Sequence, residues 1–369
     1  MYIRSLELSQ YRNYEKLHIK FDEGINVIYG ANAQGKTNIL ESIYICSSGR
    51  SHRGCRDNEI VNFSSDEAHV KLMAEKKGVP LRIDLHLKKK GTKGVAVNGY
   101  PVKKTSDILG WMNIVLFAPE DLNIIKRGPS ERRRFINNEI CQLDRYYTAA
   151  LTEYNKILEN RNELLKNIDR YHDHMDLLDI IDEQLAVQGR YIISSRDSFI
   201  KEMNNIIKDM HSRITAGSEE ISMIYENDCG PENFLSELKG SFNNDIKLKY
   251  TTKGPHHDDI KFIVNGADVK KYGSQGQQRS AALSLKLSEI ELKKKRTGDM
   301  PVLLLDDVLS ELDHERQCNL LENINDIQSI ITCTGLDDLV ENNLDIDQVI
   351  RIKNGAAYTE KHSEGIYES

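Results

Sequence analysis

The stretch Gly30-Ala31-Asn32-Ala33-Gln34-Gly35-Lys36-Thr37 matches the pattern G-x-x-x-x-G-K-[ST] in full. Such a loop needs a buried strand before it and a helix after it. Ile25-Asn26-Val27-Ile28-Tyr29 reads as the strand and Asn38-Ile39-Leu40-Glu41-Ser42-Ile43-Tyr44 as the helix. Gly30 and Gly35 let the backbone wrap, so that the N–H groups of the loop and of the helix start at Asn38 face phosphates. Lys36 brings an ammonium to the β- and γ-phosphates, and Thr37 offers a hydroxyl to Mg²⁺. Chance produces this pattern in a chain of this length about one time in a hundred. The expected ligands are therefore a nucleoside triphosphate and Mg²⁺.

With 369 residues, 39% of them hydrophobic, the chain can bury a large core and is expected to hold more than one domain. No run approaches the roughly 20 apolar residues of a membrane helix and no signal-like start is seen, which predicts a cytoplasmic protein with no membrane partner. Cys46, Cys55, Cys141, Cys229, Cys318 and Cys333 form no C-x-x-C pair, so reduced thiols are expected rather than a zinc site. The net charge of −7 decides little, because a local basic face can bind DNA on an acidic protein.

Along the chain, Tyr2–Leu8 and Leu17–Phe21 alternate as two strands around the turn Gln10-Tyr11-Arg12-Asn13-Tyr14. Arg12 there is a candidate nucleotide contact, with Tyr11 or Tyr14 as a stacking face; a solvated hairpin tip is the competing reading. The period-2 pattern between Ala68 and Val97 predicts an antiparallel β-subdomain carrying Lys88, Lys89, Lys90 and Lys93 at its tips. Arg50, Arg53 and Arg56 make one basic cluster, and Arg132-Arg133-Arg134, at a helix begun by Pro129, another. The second suits phosphate, unless its arginines pair with Glu120, Asp121 and Glu139. From Asn138 to Ile214 apolar residues recur at spacings of 3 and 4, as in amphipathic helices folded into a short antiparallel arm that turns near Tyr171-His172-Asp173-His174. Ile221–Tyr225 and Lys247–Tyr250 read as strands. The turn Gly254-Pro255-His256-His257-Asp258-Asp259 is polar without an evident local reason, and metal ligands, an interface or a nucleotide-proximal loop all fit it.

Two late motifs complete the chemistry. Pro301-Val302-Leu303-Leu304-Leu305-Asp306-Asp307 is an apolar strand ending in two carboxylates, where ligands of open α/β sheets bind. Asp306 is placed to hold Mg²⁺ directly or through water, and Asp307 to orient or deprotonate the attacking water. Ser274-Gln275-Gly276-Gln277 opens a long amphipathic helix and forms a second anion-binding helix end. Two such ends in one chain point to a nucleotide held between two subunits.

Loop, Ser-Gly-Gln signature, paired acids and the following Ser310-Glu311-Leu312-Asp313 resemble the ATP-binding-cassette class. There the signature of one subunit closes on the γ-phosphate held by the other, which makes Ser274, Gln275, Gly276 and Gln277 nucleotide contacts in trans, with Gln275 beside Lys36 and Asp307 among the catalytic candidates. Pro119-Glu120-Asp121-Leu122, Gly128-Pro129, Arg132-Arg133-Arg134-Phe135, Gly254-Pro255-His256-His257-Asp258-Asp259 and Leu305-Asp306-Asp307 resemble, more narrowly, the bacterial RecF recombination mediators over essentially the whole chain. Arg127 stands where a small residue is expected and His257 where an arginine is. Asp307 replaces the usual cassette glutamate, and Thr332 or Thr334 falls where a histidine often senses the γ-phosphate, so hydrolysis is expected to be slow.

The resemblance implies an α/β fold, an ABC-type ATPase head with mixed β-sheets and an inserted helical lobe: head over 1–125, lobe over 126–245, head again over 246–369. It implies an ATP-dependent homodimer that holds double-stranded DNA near single-strand gap junctions, associates with the nucleoid when on DNA, and works with RecR and RecO to help load RecA. A transporter ATPase would place the signature about a hundred residues after the loop, whereas 238 residues separate Lys36 from Ser274. An SMC-type chromosome or double-strand-break head would need hundreds of heptad residues in its insertion.

Overall fold

The computed structural model describes residues 1–167, 174–312, 314–324, 326–335 and 346–360. The expected arm turn at Tyr171-His172-Asp173 and the acid Asp313 lie outside them. Two compact units are formed, Met1–Asp121 with Leu283–Ser369, and Leu122–Ala282.

In chain order the first unit contributes β1 (Tyr2–Tyr11), β2 (Tyr14–Lys20), β3 (Ile25–Tyr29), β4 (Glu67–Lys76), β5 (Val79–Lys88), β6 (Gly94–Val97), β7 (Tyr100–Pro101) and β8 (Ile114–Phe117). The second unit holds β9 (Ile221–Glu226), β10 (Asp259–Val264) and β11 (Ala267–Asp268). The chain then returns to the first with β12 (Val302–Asp306), β13 (Ser329–Cys333), β14 (Gln348–Lys353) and β15 (Ala356–Glu360).

One sheet of the first unit is antiparallel, in the order β2-β1-β4-β5-β6-β7. Its strands alternate as expected: Ala68, Val70 and Leu72 on β4 and Ile83, Leu85 and Leu87 on β5 are buried, while the residues between them face outward. The other sheet runs β15-β14-β3-β13-β12-β8 and is parallel except at the β14–β15 hairpin. Here β8, β12 and β13 are buried at every position, the pattern of strands covered on both faces. The helix Lys36–Ser48 follows the loop and is apolar around its girth, with Ile39, Leu40, Ile43, Ile45 and Cys46 all inaccessible. Ile39 and Ile43 share a core with Leu6, Leu72 and Ile83 of the antiparallel sheet and Ile28, Leu304 and Ile330 of the parallel one. That burial fixes the helix start, and hence the loop.

The second unit is built on the helices Pro129–Leu143, Arg145–Asn167 and His174–Ile214. At 1.5 Å per residue the last two span about 35 and 60 Å. Contacts between them run antiparallel: Arg196 donates to Tyr147 at 3.1 Å and Arg161 to Asp182 at 2.6 Å. Three expectations change. Lys247–Tyr250 is not a strand; Phe242–Leu248 is a helix, ended by Lys249 at φ 63°, and its Asp245 receives Arg161 and Thr252. Residues 246–282 group by contacts with the helical unit rather than with the last segment of the head, since β10 pairs with β9 along its whole length. Among the three arginines, Arg132 grips Asp259 at 2.6 and 2.9 Å and Arg133 donates to the Asp258 carbonyl, so these two are held inside the unit, by partners other than Glu120 and Asp121, instead of facing phosphate.

The turn Gly254–Asp259 thereby gains a structural reason. Asp258, nearly inaccessible, accepts from Arg196 at 2.7 Å, from the Tyr225 hydroxyl and from the Asp228 N–H. His256 meets Tyr154 at 2.7 Å, and burial pulls its pKa down to about 4. These side chains brace the unit instead of forming a metal site. Arg161 is a second brace, fully buried between Asp182 and Asp245 with Thr251 at 2.9 Å. Replacing Arg161 by methionine strands two buried carboxylates and should cost about 3–5 kcal/mol. Urea unfolding followed by circular dichroism reads the loss as a fall in midpoint; a change under about 1 kcal/mol would show that the carboxylates tolerate isolation.

Candidate nucleotide site

The register of the parallel sheet brings the separate motifs to one edge. Asp306 of β12 lies opposite Thr332 of β13, and Cys333 opposite Tyr29, the last residue of β3 before the loop. Loop and acids therefore share the carboxyl end of the sheet, where ligands of open α/β folds bind.

Within the loop, Gly30, Ala33 and Gly35 have φ of 153°, 63° and 102°. A Cβ on Gly30 would fall 2.5 Å from the Ile352 carbonyl, and one on Gly35 would fall 2.6 Å from the Asn13 amide and 2.7 Å from the Tyr14 hydroxyl. Both positions require glycine for backbone freedom and for space. Lys36 is 8% exposed, and its ammonium donates to the carbonyls of Gly30 at 2.6 Å and Ala31 at 3.1 Å. The loop's own carbonyls thus hold that charge in its mouth.

Thr37 donates its hydroxyl to Asp306 Oδ1 at 2.9 Å, and Thr332 donates to the same oxygen at 2.8 Å. Burial raises the pKa of Asp306, and the two hydroxyl donors oppose the rise. Hydroxyl and carboxylate oxygens side by side are hard donors, a set that fits Mg²⁺. Asp307 adopts φ 52°, a left-handed turn that aspartate tolerates better than most residues. Its N–H is anchored to the Thr332 carbonyl and hydroxyl at 3.2 and 3.1 Å. Thr332, rather than the exposed Thr334, is the threonine joined to the acids.

Arg12 is gripped by groups of the chain itself. Its Nε and Nη2 bind Glu41 at 2.9 and 2.7 Å, Nη1 binds the Glu59 carbonyl and Nη2 also meets Cys55 Sγ. Glu41 lies on the loop helix with no solvent access. Burial would raise its pKa, but the hydrogen bonds from Arg12 and Ser51 outweigh that and hold it below the usual range. Arg12 therefore locks the helix behind the loop. Tyr11 and Tyr14 are both fully buried and present no stacking face. Asn13 donates to the Gln34 carbonyl at 3.0 Å and accepts from Asn38 at 2.8 Å, and the Tyr14 hydroxyl reaches the same carbonyl at 3.4 Å. Gln34 in turn accepts from the Asn354 N–H at 2.8 Å. Sequence reading passed over Asn13 and Glu41; the signals were an asparagine in a two-residue hairpin and a carboxylate inside an apolar helix.

In the second unit, Ser274 caps the helix Gln275–Thr297. Its N–H donates to Gln277 Oε1 at 2.9 Å, and its hydroxyl accepts from the Gln277 N–H at 3.2 Å. This reciprocal capping box fixes the helix entrance and leaves Ser274 and Gln275 exposed. Gly273 before it is closely packed, since a Cβ there would meet the Val269 carbonyl at 2.5 Å.

Of the expected basic clusters, Arg132 and Arg133 are engaged internally, as described above. Lys89 donates to the Phe63 carbonyl, Lys88 lies 3.4 Å from Glu67, and Lys93 turns inward to the Gly49 carbonyl and Asp57. Lys90, Arg50, Arg53 and Arg56 are exposed.

A family model described as the RecF/RecN/SMC N-terminal domain matches residues 2–358. The DNA replication and repair protein RecF of Lachnospira eligens is 55% identical over 98% of this chain and 100% of its own length. That of Agathobacter rectalis is 53% identical over 96% of this chain and 98% of its own. A solved structure described as the recombination mediator protein RecF-ATPrS in the RecFOR pathway superposes with a TM-score of 0.91, at 39% identity, covering 97% of this chain and 98% of its own. An Smc head bound to the winged-helix domain of ScpA shares the fold at TM-score 0.58 and 18% identity, over 99% of this chain and 98% of its own. The chain belongs to the RecF family and carries its ATPase-head fold.

Proposed function

We propose that this chain is an ATP-gated DNA clamp of recombinational repair: ATP joins two copies, the joined copies hold duplex DNA beside a single-strand gap, and slow hydrolysis separates them. The observation that carries the reading is the meeting of Lys36, Thr37, Asp306 and Asp307 at one sheet edge, in a chain that covers full-length RecF relatives and a RecF-ATP structure. Those relatives leave no support for a transporter ATPase.

Each residue has a separable task. The N–H groups from Ala31 to Thr37 would face the phosphates, and the Lys36 ammonium would complement the charge on the β- and γ-groups. Thr37 and Asp306 would hold Mg²⁺, which when bound neutralises phosphate charge. Asp307 orients the attacking water. Being one methylene shorter than the glutamate usual in the cassette class, it would do so less effectively, which would slow turnover. Ser274, Gln275, Gly276 and Gln277 present a capped helix end to the nucleotide of the opposite copy. Duplex DNA would meet exposed cations such as Lys90 and the Arg50 to Arg56 segment. The solved relative is a recombination mediator of the RecFOR pathway, which supports RecR and RecO as partners; help in loading RecA would be the outcome.

Lys36→Met should lower ATP affinity by at least tenfold and abolish ATP-driven self-association, measured by calorimetry and sedimentation; unchanged values for both would sink the assignment. Asp307→Asn should cut hydrolysis by about 10²-fold or more while leaving ATP affinity intact, because the water-orienting carboxylate is lost and Asp306 remains. Phosphate release at the parental rate would move that task to another residue.

A further inference from the structure

A cluster with no part in the nucleotide site lies on the outer face of the antiparallel sheet. The β4–β5 ladder sets His69 directly opposite His86, with Glu67 two residues from His69 along the same face. Because Ala68, Val70, Leu85 and Leu87 are buried, the alternation of both strands fixes Glu67, His69 and His86 outward. The two imidazoles stack with centroids 4.2 Å apart and planes inclined by 18°, and His86 Nε2 lies 2.7 Å from Glu67 Oε2. Nitrogen and oxygen atoms of all three side chains lie within 4.8 Å of one another, and among the described residues this is the one such group of three or more. Both histidines line a cleft of about 720 Å³ that also contains His18 and Glu7.

We propose that Glu67, His69 and His86 form a binding site for a divalent transition ion of the Zn²⁺ class, with two imidazole nitrogens, one carboxylate oxygen and a fourth position open to water. Two imidazoles select against Mg²⁺ and Ca²⁺, which take oxygen ligands, so the site is chemically distinct from the Thr37–Asp306 pair. A tetrahedral ion with bonds of 2.0–2.2 Å separates its ligands by roughly 3.3 Å. Rotation of exposed side chains supplies the remaining closure, because the ladder already holds both backbones in register. Binding exchanges the Glu67–His86 hydrogen bond for metal bonds and leaves Lys88, 3.4 Å from the other carboxylate oxygen, in place. The ion would tie β4 to β5.

Equilibrium dialysis of tag-free protein against Zn²⁺, with excess Mg²⁺ and no nucleotide, tests the site. The parent should bind one equivalent more than the His69→Ala/His86→Ala double variant, and Glu67→Gln should weaken that equivalent by at least tenfold. Zinc should also raise the unfolding temperature of the parent but not of the double variant. Cobalt substitution should give visible bands without thiolate-to-metal charge transfer, since no cysteine belongs to the cluster. Equal stoichiometry and affinity in parent and double variant, or a thiolate cobalt spectrum, would overturn the proposal.

Discussion

The Asp306 Oδ1 atom accepts a hydrogen bond from Thr37 on the loop helix and another from Thr332 on the neighbouring strand. Three chain segments far apart in sequence meet at this one oxygen. The meeting depends on β13 lying between β3 and β12 in parallel register, so that all three strands end at the same level. A one-residue slip of any of them would turn the acid or the hydroxyl to the opposite face. The apolar character of β8, β12 and β13 is therefore a condition for the chemistry as well as for the core.

Behind the loop, a second set of charges keeps the helix from shifting. Half-buried Arg12 and inaccessible Glu41 form a pair whose value lies in position, because taking charges out of water gains little net stability. Removing one partner would leave the other charge uncompensated against the core. Asn13 and Gln34 extend the same brace to the loop backbone, and Asn354 reaches it from near the far end of the chain. The helical unit uses the same logic, with Arg161 and Arg196 held by buried aspartates and Arg132 by the half-buried Asp259.

What the sequence made legible follows from the range of each interaction. The phosphate loop, its strand and helix, the acidic strand end and the capped Ser274 helix are local patterns, and each stands where it was read. The period-2 subdomain was equally readable, since alternation reports one buried face. Pairings between distant segments were not. Local sequence offers Arg132 either phosphate or nearby Glu120, Asp121 and Glu139, yet its partner Asp259 is 127 residues away. The turn Gly254–Asp259 looked purposeless for the same reason, its partners Arg196 and Tyr225 being on another helix and strand. Lys247–Tyr250 was misread because two alternating apolar residues carry little information; Leu248 and Tyr250 are in fact about half exposed, at 43% and 46%. The His69–His86 pair was invisible until strand register set one opposite the other.

The central claim is that the Ser274 helix end of one copy completes the nucleotide site of another. Ser274→Arg tests it most directly, by placing a bulky cation at that helix end without touching the phosphate loop. ATP affinity of the isolated chain and ATP-driven dimerisation are measured together, by calorimetry and sedimentation velocity. The account predicts unchanged affinity and no dimer; loss of ATP binding by the monomer, or a dimer of parental strength, would contradict it.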